Sequence, residues 1–229
     1  MNKSVIRCLA VGWIGTTGWV SLSQAVLADE PEPTPQIAVY VYNWAEVEPN
    51  TLREAKEVAT QIFRKAGVEA TLLDGPLPSK GEQGKVVTPS NFFVQIVSVS
   101  MAESYGLPTQ VLGIAPGNPQ ELNRVQVYVF DHVAARMAQA QTMARVKKIV
   151  SFNADKGQIL GHGMAHEIGH VLLRQASHSP KGLMRANWDR NDMQNVATGK
   201  LLFTAGEAER VRAEVSRRNS VQIALNPGK

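Results

Sequence analysis

Hydrophobic positions along the chain fall into short alternating runs and longer helical ones. IAVYVYN (37 to 43) alternates Ile37, Val39 and Val41 with Tyr40 and Tyr42, the period-2 pattern of a strand. From Asn50, read as an N-cap, Leu52, Ala55, Ala59, Ile62, Phe63 and Ala66 recur at helical spacing until Gly67 closes the run, which predicts an amphipathic helix packed on a sheet. VEATLLD (68 to 74) reads as a second strand, and GPLPSKGEQGKVVTPSN (75 to 91) as a loop rich in Gly, Pro and Ser. FFVQIVSVS (92 to 100), TQVLGIA (109 to 115) and RVQVYVF, ending at Phe130, predict three further strands. Asp131 is expected to cap a helix running through Val133, Met137, Ala140, Ala144 and Ile149, and another helix spans about Lys156 to Leu173. Thr204 with Glu207 three residues on reads as a capping box opening a last helix through Ala208, Val211 and Val215. This order predicts an α+β fold, one mixed twisted sheet packed on two long helices, with a small C-terminal helical subdomain from about residue 174.

The first 28 residues follow different rules. Lys3 and Arg7 precede an apolar stretch from Cys8 to Leu22, and Val26 and Ala28 place small residues where a signal peptidase reads. A signal peptide cleaved after Ala28 is therefore expected, and with it a secreted or periplasmic protein. Gly12, Gly15, Thr16, Thr17 and Gly18 dilute an apolar run already shorter than the ~20 residues of a membrane span, so no stable membrane insertion is expected after cleavage. Residues 29 to 36, with Pro31, Pro33 and Pro35, read as an extended linker, and 37 to 229 as one catalytic-size domain.

Charge and cysteine content narrow the classes further. Of the formal net charge of +4, Lys3 and Arg7 leave with the leader. The clusters Arg145, Lys147, Lys148 and Arg210, Arg212, Arg217, Arg218 are interleaved with Glu or apolar residues, without an aromatic-plus-basic stripe. They read as solvated faces, so no nucleic-acid partner is expected. The single Cys, Cys8, also lies in the leader, which leaves neither a disulfide nor a thiolate for chemistry. A monomer acting on a peptide or protein substrate is expected.

The chemistry is carried by histidine. Four of the five His residues (162, 166, 170 and 178) fall within seventeen positions, and His166-Glu167-Ile168-Gly169-His170 forms the pattern HExxH. At the residue frequencies of this chain roughly 0.007 chance matches are expected, so coincidence is a poor explanation. Residues at i and i+4 lie one turn apart on one helix face, and both imidazoles can reach one Zn²⁺; Glu167, beside the first ligand, is placed to take a proton from water at the open position. Gly161, Gly163 and Gly169 each cost about 1 kcal/mol relative to Ala within a helix, which a purely structural helix would have no evident reason to carry.

A catalytic zinc needs a third protein ligand, and VLLRQASHSPKGLM after His170 supplies His178 and then Met184. This stretch resembles the metzincin metallopeptidases, whose motif HExxHxxGxxH is followed by a Met-containing turn; the HS-then-LM ending is similar to the matrixin version. The resemblance implies one catalytic zinc held by His166, His170 and His178, Glu167 as general base and Met184 as the Met-turn residue. It also implies that the strand around Leu112, Gly113 and Ile114 pairs with an extended substrate, although an ordinary core strand reads equally well. Seven residues separate His170 from His178 where the family has five, and Leu173 stands at the family's glycine position, so the reversal is expected to fall on Arg174 or Gln175 with φ > 0. No Tyr stands two residues beyond Met184, where Ala186 sits.

His162 extends the i, i+4 series by one more turn. It lies about 12 Å along the axis from His170, too far to share its metal, and is read as a cleft or second-layer group. Arg185 and His162 are candidates for a second oxyanion donor, Trp188 for a specificity wall or core cover, and His132 for a structural role. Asp189 and Asp192 are alternative acidic third ligands, and a non-catalytic, metal-stabilised binding protein is the reading from another class, against which Glu167 stands.

Overall fold

The computed structural model describes residues 33–75, 89–118, 121–122 and 125–225. Residues 1 to 32, which hold the expected signal peptide and the first half of the expected linker, and most of the loop expected at 75 to 91 lie outside these. The elements in chain order are β1 (Gln36–Asn43), α1 (Pro49–Lys65), β2 (Glu69–Asp74), β3 (Asn91–Val97), α2 (Val99–Ser104), β4 (Gly113–Ile114), β5 (Gln126–Phe130), α3 (Asp131–Val146), α4 (Lys156–Leu172), α5 (Arg190–Ala197) and α6 (Ala205–Leu225).

The five strands form one sheet in the order β2-β1-β3-β5-β4. The first four are parallel, and β4 pairs antiparallel with β5, Gly113 opposite Val129 and Ile114 opposite Tyr128. This is the mixed sheet of an α+β fold. Alternation sends Ile37, Val39, Val41, Phe92, Val94, Ile96, Val127 and Val129 into the core beneath α1 and α4. On the opposite face Tyr40 stacks on Phe93 with ring centroids 5.6 Å apart, and Tyr42 on Trp44 at 6.0 Å, the cross-strand and along-strand contacts that keep a half-covered face regular.

α4 runs through the middle of the molecule, touching α1, α3, α5, α6, β4 and β5. Every residue from Ile159 to Leu172 is buried, so this helix shows no solvent face. The glycines in it are therefore explained by packing rather than by the site. A Cβ on Gly161 would come 2.6 Å from the Ala55 carbonyl oxygen of α1, and one on Gly169 2.7 Å from Met184 Sδ. Close approach of α1 and of the Met184 segment is what these positions provide.

Local capping moves several boundaries away from the sequence expectation. Helix α1 is capped by Glu48, whose carboxylate accepts from Thr51 N–H at 3.0 Å, because Pro49 supplies a first-turn residue that needs no partner; Asn50 lies inside the helix. The strand expected to reach Ser100 stops at Val97, since Ser98 accepts from Met101 N–H and opens α2. Of the strand expected over 109 to 115 only Gly113 and Ile114 pair. Asp131 is the first helical residue of α3 rather than its cap, and pairs with Lys156 at 2.6 Å. α5, unmarked by apolar periodicity, is capped by Asp189, whose side chain accepts from Asn191 and Asp192 N–H. The capping box at Thr204 and Glu207 opens α6 as expected. Among the described residues no helix is long and apolar enough to cross a membrane.

Candidate metal centre

Helix α4 starts at a capping box in which Asp155 accepts from Gln158 N–H at 2.9 Å and the Gln158 side chain accepts from Asp155 N–H. That start sets the phase of the helix, and one face then carries His166 and His170 towards β4. Their ring nitrogens divide their tasks. His166 Nδ1 lies 2.8 Å from the Leu183 carbonyl oxygen and His170 Nδ1 3.0 Å from that of Gln175. A carbonyl only accepts, so both Nδ1 atoms carry the proton and donate, and both Nε2 atoms are left as bare lone pairs in the neutral rings.

Those lone pairs converge. His170 Nε2 is 3.1 Å from His166 Nε2 and 3.3 Å from His178 Nε2, and ligand atoms of the three rings all lie within 4.8 Å of one another. Facing lone pairs repel unless a proton or a cation sits between them. Tetrahedral zinc with Zn–N of about 2.0 to 2.1 Å spaces its nitrogen ligands by about 3.3 Å, so the cluster has the spacing and the donor type that fit this ion. Burial pushes the His166 imidazolium down to about 4, the hydrogen bond to Leu183 opposing and the two neighbouring imidazoles adding to the effect. The ring is accordingly neutral near pH 7, the form that ligates. The three histidines can hold a metal ion.

The third imidazole arrives on a loop. After α4, Arg174 adopts φ 53°, and the Arg174 and Gln175 amides hydrogen-bond back to Val171 and His170. The left-handed residue performs the reversal that a glycine more often provides. Beyond His178 the loop is closed by Ser179 N–H donating to Met184 O at 2.8 Å, and by Leu183 N–H donating to Leu202 O at 2.9 Å. The Ser179 hydroxyl donates to the buried carboxylate of Glu207, whose other oxygen accepts from Thr204 N–H at 2.8 Å. Met184 is fully buried below Gly169. The Ser179–Glu207 bond has no sequence signal of its own, because the capping box accounts for Glu207 locally and its second partner lies 28 residues away.

A cleft of about 690 Å³ opens onto the three histidines and Glu167. Glu167 is 5% exposed, and β4 passes directly over it. A Cβ on Gly113 would fall 2.6 Å from Glu167 Cγ and 2.8 Å from its Oε1, so only a glycine leaves room for that carboxylate. Leu112 and Ile114 flank the same wall, while Val133 and Met137 of α3 and Trp188 face it. The weak apolar periodicity of α3 conceals that it builds part of the cleft.

The remaining sequence candidates are distributed as follows. His162 is fully buried, with Nδ1 2.7 Å from the Gln158 carbonyl oxygen, and its ring stands edge-on to Trp188 with centroids 6.1 Å apart. It does not line the cleft. Arg185 does line it, with Nη1 donating to Asp189 at 2.7 Å and also to Asp192. Asp189 and Asp192 thereby serve Arg185 and the start of α5, and the converging donor set contains neither. His132 Nε2 lies 2.9 Å from the Thr109 carbonyl oxygen, which ties the loop before β4 to α3.

No family model matches the chain, and no curated protein matches it. Among solved structures, a zinc-dependent peptidase from Methanocorpusculum labreanum is similar over 76% of this chain and 99% of that chain, at 13% sequence identity and a TM-score of 0.44. A likeness at that level assigns neither family nor activity, and the chemistry has to come from the residues themselves.

Proposed function

We propose that the chain is a secreted, zinc-dependent endopeptidase of metzincin type, with one catalytic zinc. The observation that supports this most directly is the convergence of the Nε2 atoms of three histidines, beside a buried carboxylate in an open cleft. A structural site needs only ligands, whereas Glu167 is not needed as one and is kept at the cleft.

His166, His170 and His178 hold the ion, and the carbonyls of Leu183 and Gln175 fix two of the rings in the ligating tautomer. Zinc, when bound, supplies Lewis acidity that polarises a carbonyl and acidifies a water. Glu167 accepts a proton at its carboxylate from the attacking water and returns it to the leaving amine nitrogen. β4, at the end of the sheet, offers the backbone of Gly113 and Ile114 to an extended peptide, and Leu112 and Trp188 exclude water around it. Met184 packs beneath the ligand cluster and gives the His178 loop a fixed floor.

The test combines metal stoichiometry with hydrolysis of unfolded casein, with and without a zinc chelator. One zinc per chain and chelator-sensitive cleavage are expected. Glu167→Gln should keep its zinc and lose about 10²- to 10⁴-fold in turnover. Wild-type turnover in that variant, or a metal-free active protein, would reject the reading.

A further inference from the structure

Helix α3 has a composition unlike the rest of the chain. Between Asp131 and Asp155 no acidic residue occurs, while Arg136, Arg145, Lys147 and Lys148 do. The C-terminal tip of the helix also exposes three large apolar side chains within seven residues: Met143 at 51%, Val146 at 72% and Ile149 at 54%. Single exposed apolar residues are ordinary, but three together on one helix end, interleaved with exposed Arg145, Lys147 and Lys148, are not. Among the described residues no carboxylate pairs with Arg145, Lys147 or Lys148.

The tip has a fixed shape. Lys148 takes φ 56°, and the amides of Lys147, Lys148 and Ile149 donate back to Met143, Arg145 and Ala144 at 3.0, 2.9 and 2.9 Å. The helix end thus satisfies its own backbone carbonyls, and Ile149 is turned back beside the last helical turn instead of leading away. What it presents is a helix-end knob that exposes Met143, Val146 and Ile149 together with Arg145, Lys147 and Lys148.

We propose that this knob docks on an anionic lipid bilayer. The apolar side chains enter between head groups while Arg145, Lys147 and Lys148 meet the lipid phosphates, the two-signal arrangement that gives reversible attachment where either signal alone is marginal. A stable protein partner would need a complementary surface of about 800 Å² on each side. A bilayer asks for no such complementarity, only for apolar side chains that reach it and for charge of the right sign. α3 also contributes Val133 and Met137 to the cleft, so docking holds the cleft within one helix length of the head groups.

The experiment is co-sedimentation of the leader-free chain from Asp29, which retains the compact unit Pro33–Lys229, with two kinds of vesicle. One kind is phosphatidylcholine alone, the other equal parts phosphatidylcholine and phosphatidylglycerol. Binding is expected to the anionic vesicles only, and to fall at least about tenfold at about 1 M salt, where charges are screened within ~3 Å. Val146→Asp/Ile149→Asp and, separately, Lys147→Glu/Lys148→Glu should each reduce binding by about tenfold or more. All four positions are exposed, so the variants should melt with the wild type; if the first fails to fold, the charge-reversal pair carries the test. Equal binding to both vesicle types, no binding to either, or full binding by a folded variant would overturn the proposal. So would a concentration-dependent dimer that the variants abolish, since the knob would then belong to a second copy of the chain.

Discussion

Two of the three converging imidazoles stand on the most buried helix of the protein, and the third stands on an exposed loop. His166 and His170 are placed by packing: α4 is buried along nearly its whole length, and its phase is set by Asp155 and by close contact with α1 through Gly161. His178 is placed by hydrogen bonds, through Arg174 in a left-handed conformation, the Ser179–Met184 and Leu183–Leu202 backbone pairs and the Ser179–Glu207 side-chain bond. Packing is distributed over many contacts and yields little to any single change, whereas a loop hung on a few polar bonds yields to each. The helix pair should therefore be the durable part of the site and the loop the part that sets metal retention.

The sharpest way to break that contrast is to remove the loop ligand. His178→Ala should leave a folded protein with a two-imidazole site whose zinc affinity falls on the order of a thousandfold, about 4 kcal/mol, measured by competition with a chromogenic chelator. Asp192→Ala, which loses only its Arg185 and α5 contacts, should hold zinc within about threefold of wild type. The opposite ranking would assign the third ligand to the acidic candidate.

Acid should act on the helix side. Burial pushes His162 down to about 4, with its Gln158 hydrogen bond opposing. A histidine more acidic in the folded than in the unfolded chain leaves its stabilising contribution intact above the unfolded value of about 6.5, and that contribution is lost as pH falls from there towards about 4. Up to about 3 kcal/mol of stability should disappear across this window, and His162→Gln should show a shallower slope in urea midpoints over the same range. An unchanged slope would mean that His162 is not the group being titrated.

Next in size is the helix contact itself. Gly161→Ala adds a Cβ 2.6 Å from the Ala55 carbonyl oxygen and 2.7 Å from Val58 Cβ, and the obstacle is backbone, which cannot swing away. The overpacking cost should exceed the ~1 kcal/mol gain in helix propensity and leave a net loss of about 2 kcal/mol in thermal or denaturant melts. Zinc affinity in the folded fraction should barely change. Smallest is Ser179→Ala, which deletes one hydrogen bond to a buried carboxylate that keeps Thr204 N–H: about 1 kcal/mol of stability, with zinc dissociating about tenfold faster. A Gly161→Ala variant that loses zinc more readily than Ser179→Ala would reverse the assignment of retention to the loop.

Legibility in the sequence followed the range of the interactions. β1, α1 and α4 rest on apolar period and on caps within four residues and could be read almost to their ends, whereas α6 was legible at its capping box but not in its run beyond Val215 to Leu225. The HExxH pair needs only the helical repeat, and the return of the chain at Arg174 could be anticipated because Leu173 stands where a glycine would turn it. The place of β4 was legible but its shortness was not, and the helix opened by Ser98 and the eight residues of α5 were not legible at all. In each a side-chain cap or a partner strand outweighs a short apolar run, and apolar period over so few residues does not separate strand from helix.

By itself the sequence determined the fold class, the phase of α4 and the identity of the residues that meet at its face, because helical repeat, capping chemistry and hydrophobic alternation act over a few neighbouring positions. Only the tertiary structure decided why that helix carries glycines, since the atoms a Cβ would strike belong to α1, to Phe203 and to Met184. It also decided which tautomer the two helix histidines adopt, because the carbonyls that choose it come from Leu183 and Gln175. And it decided what holds His178, since Glu207 reaches Ser179 across 28 residues, a separation over which no local pattern in the chain carries information.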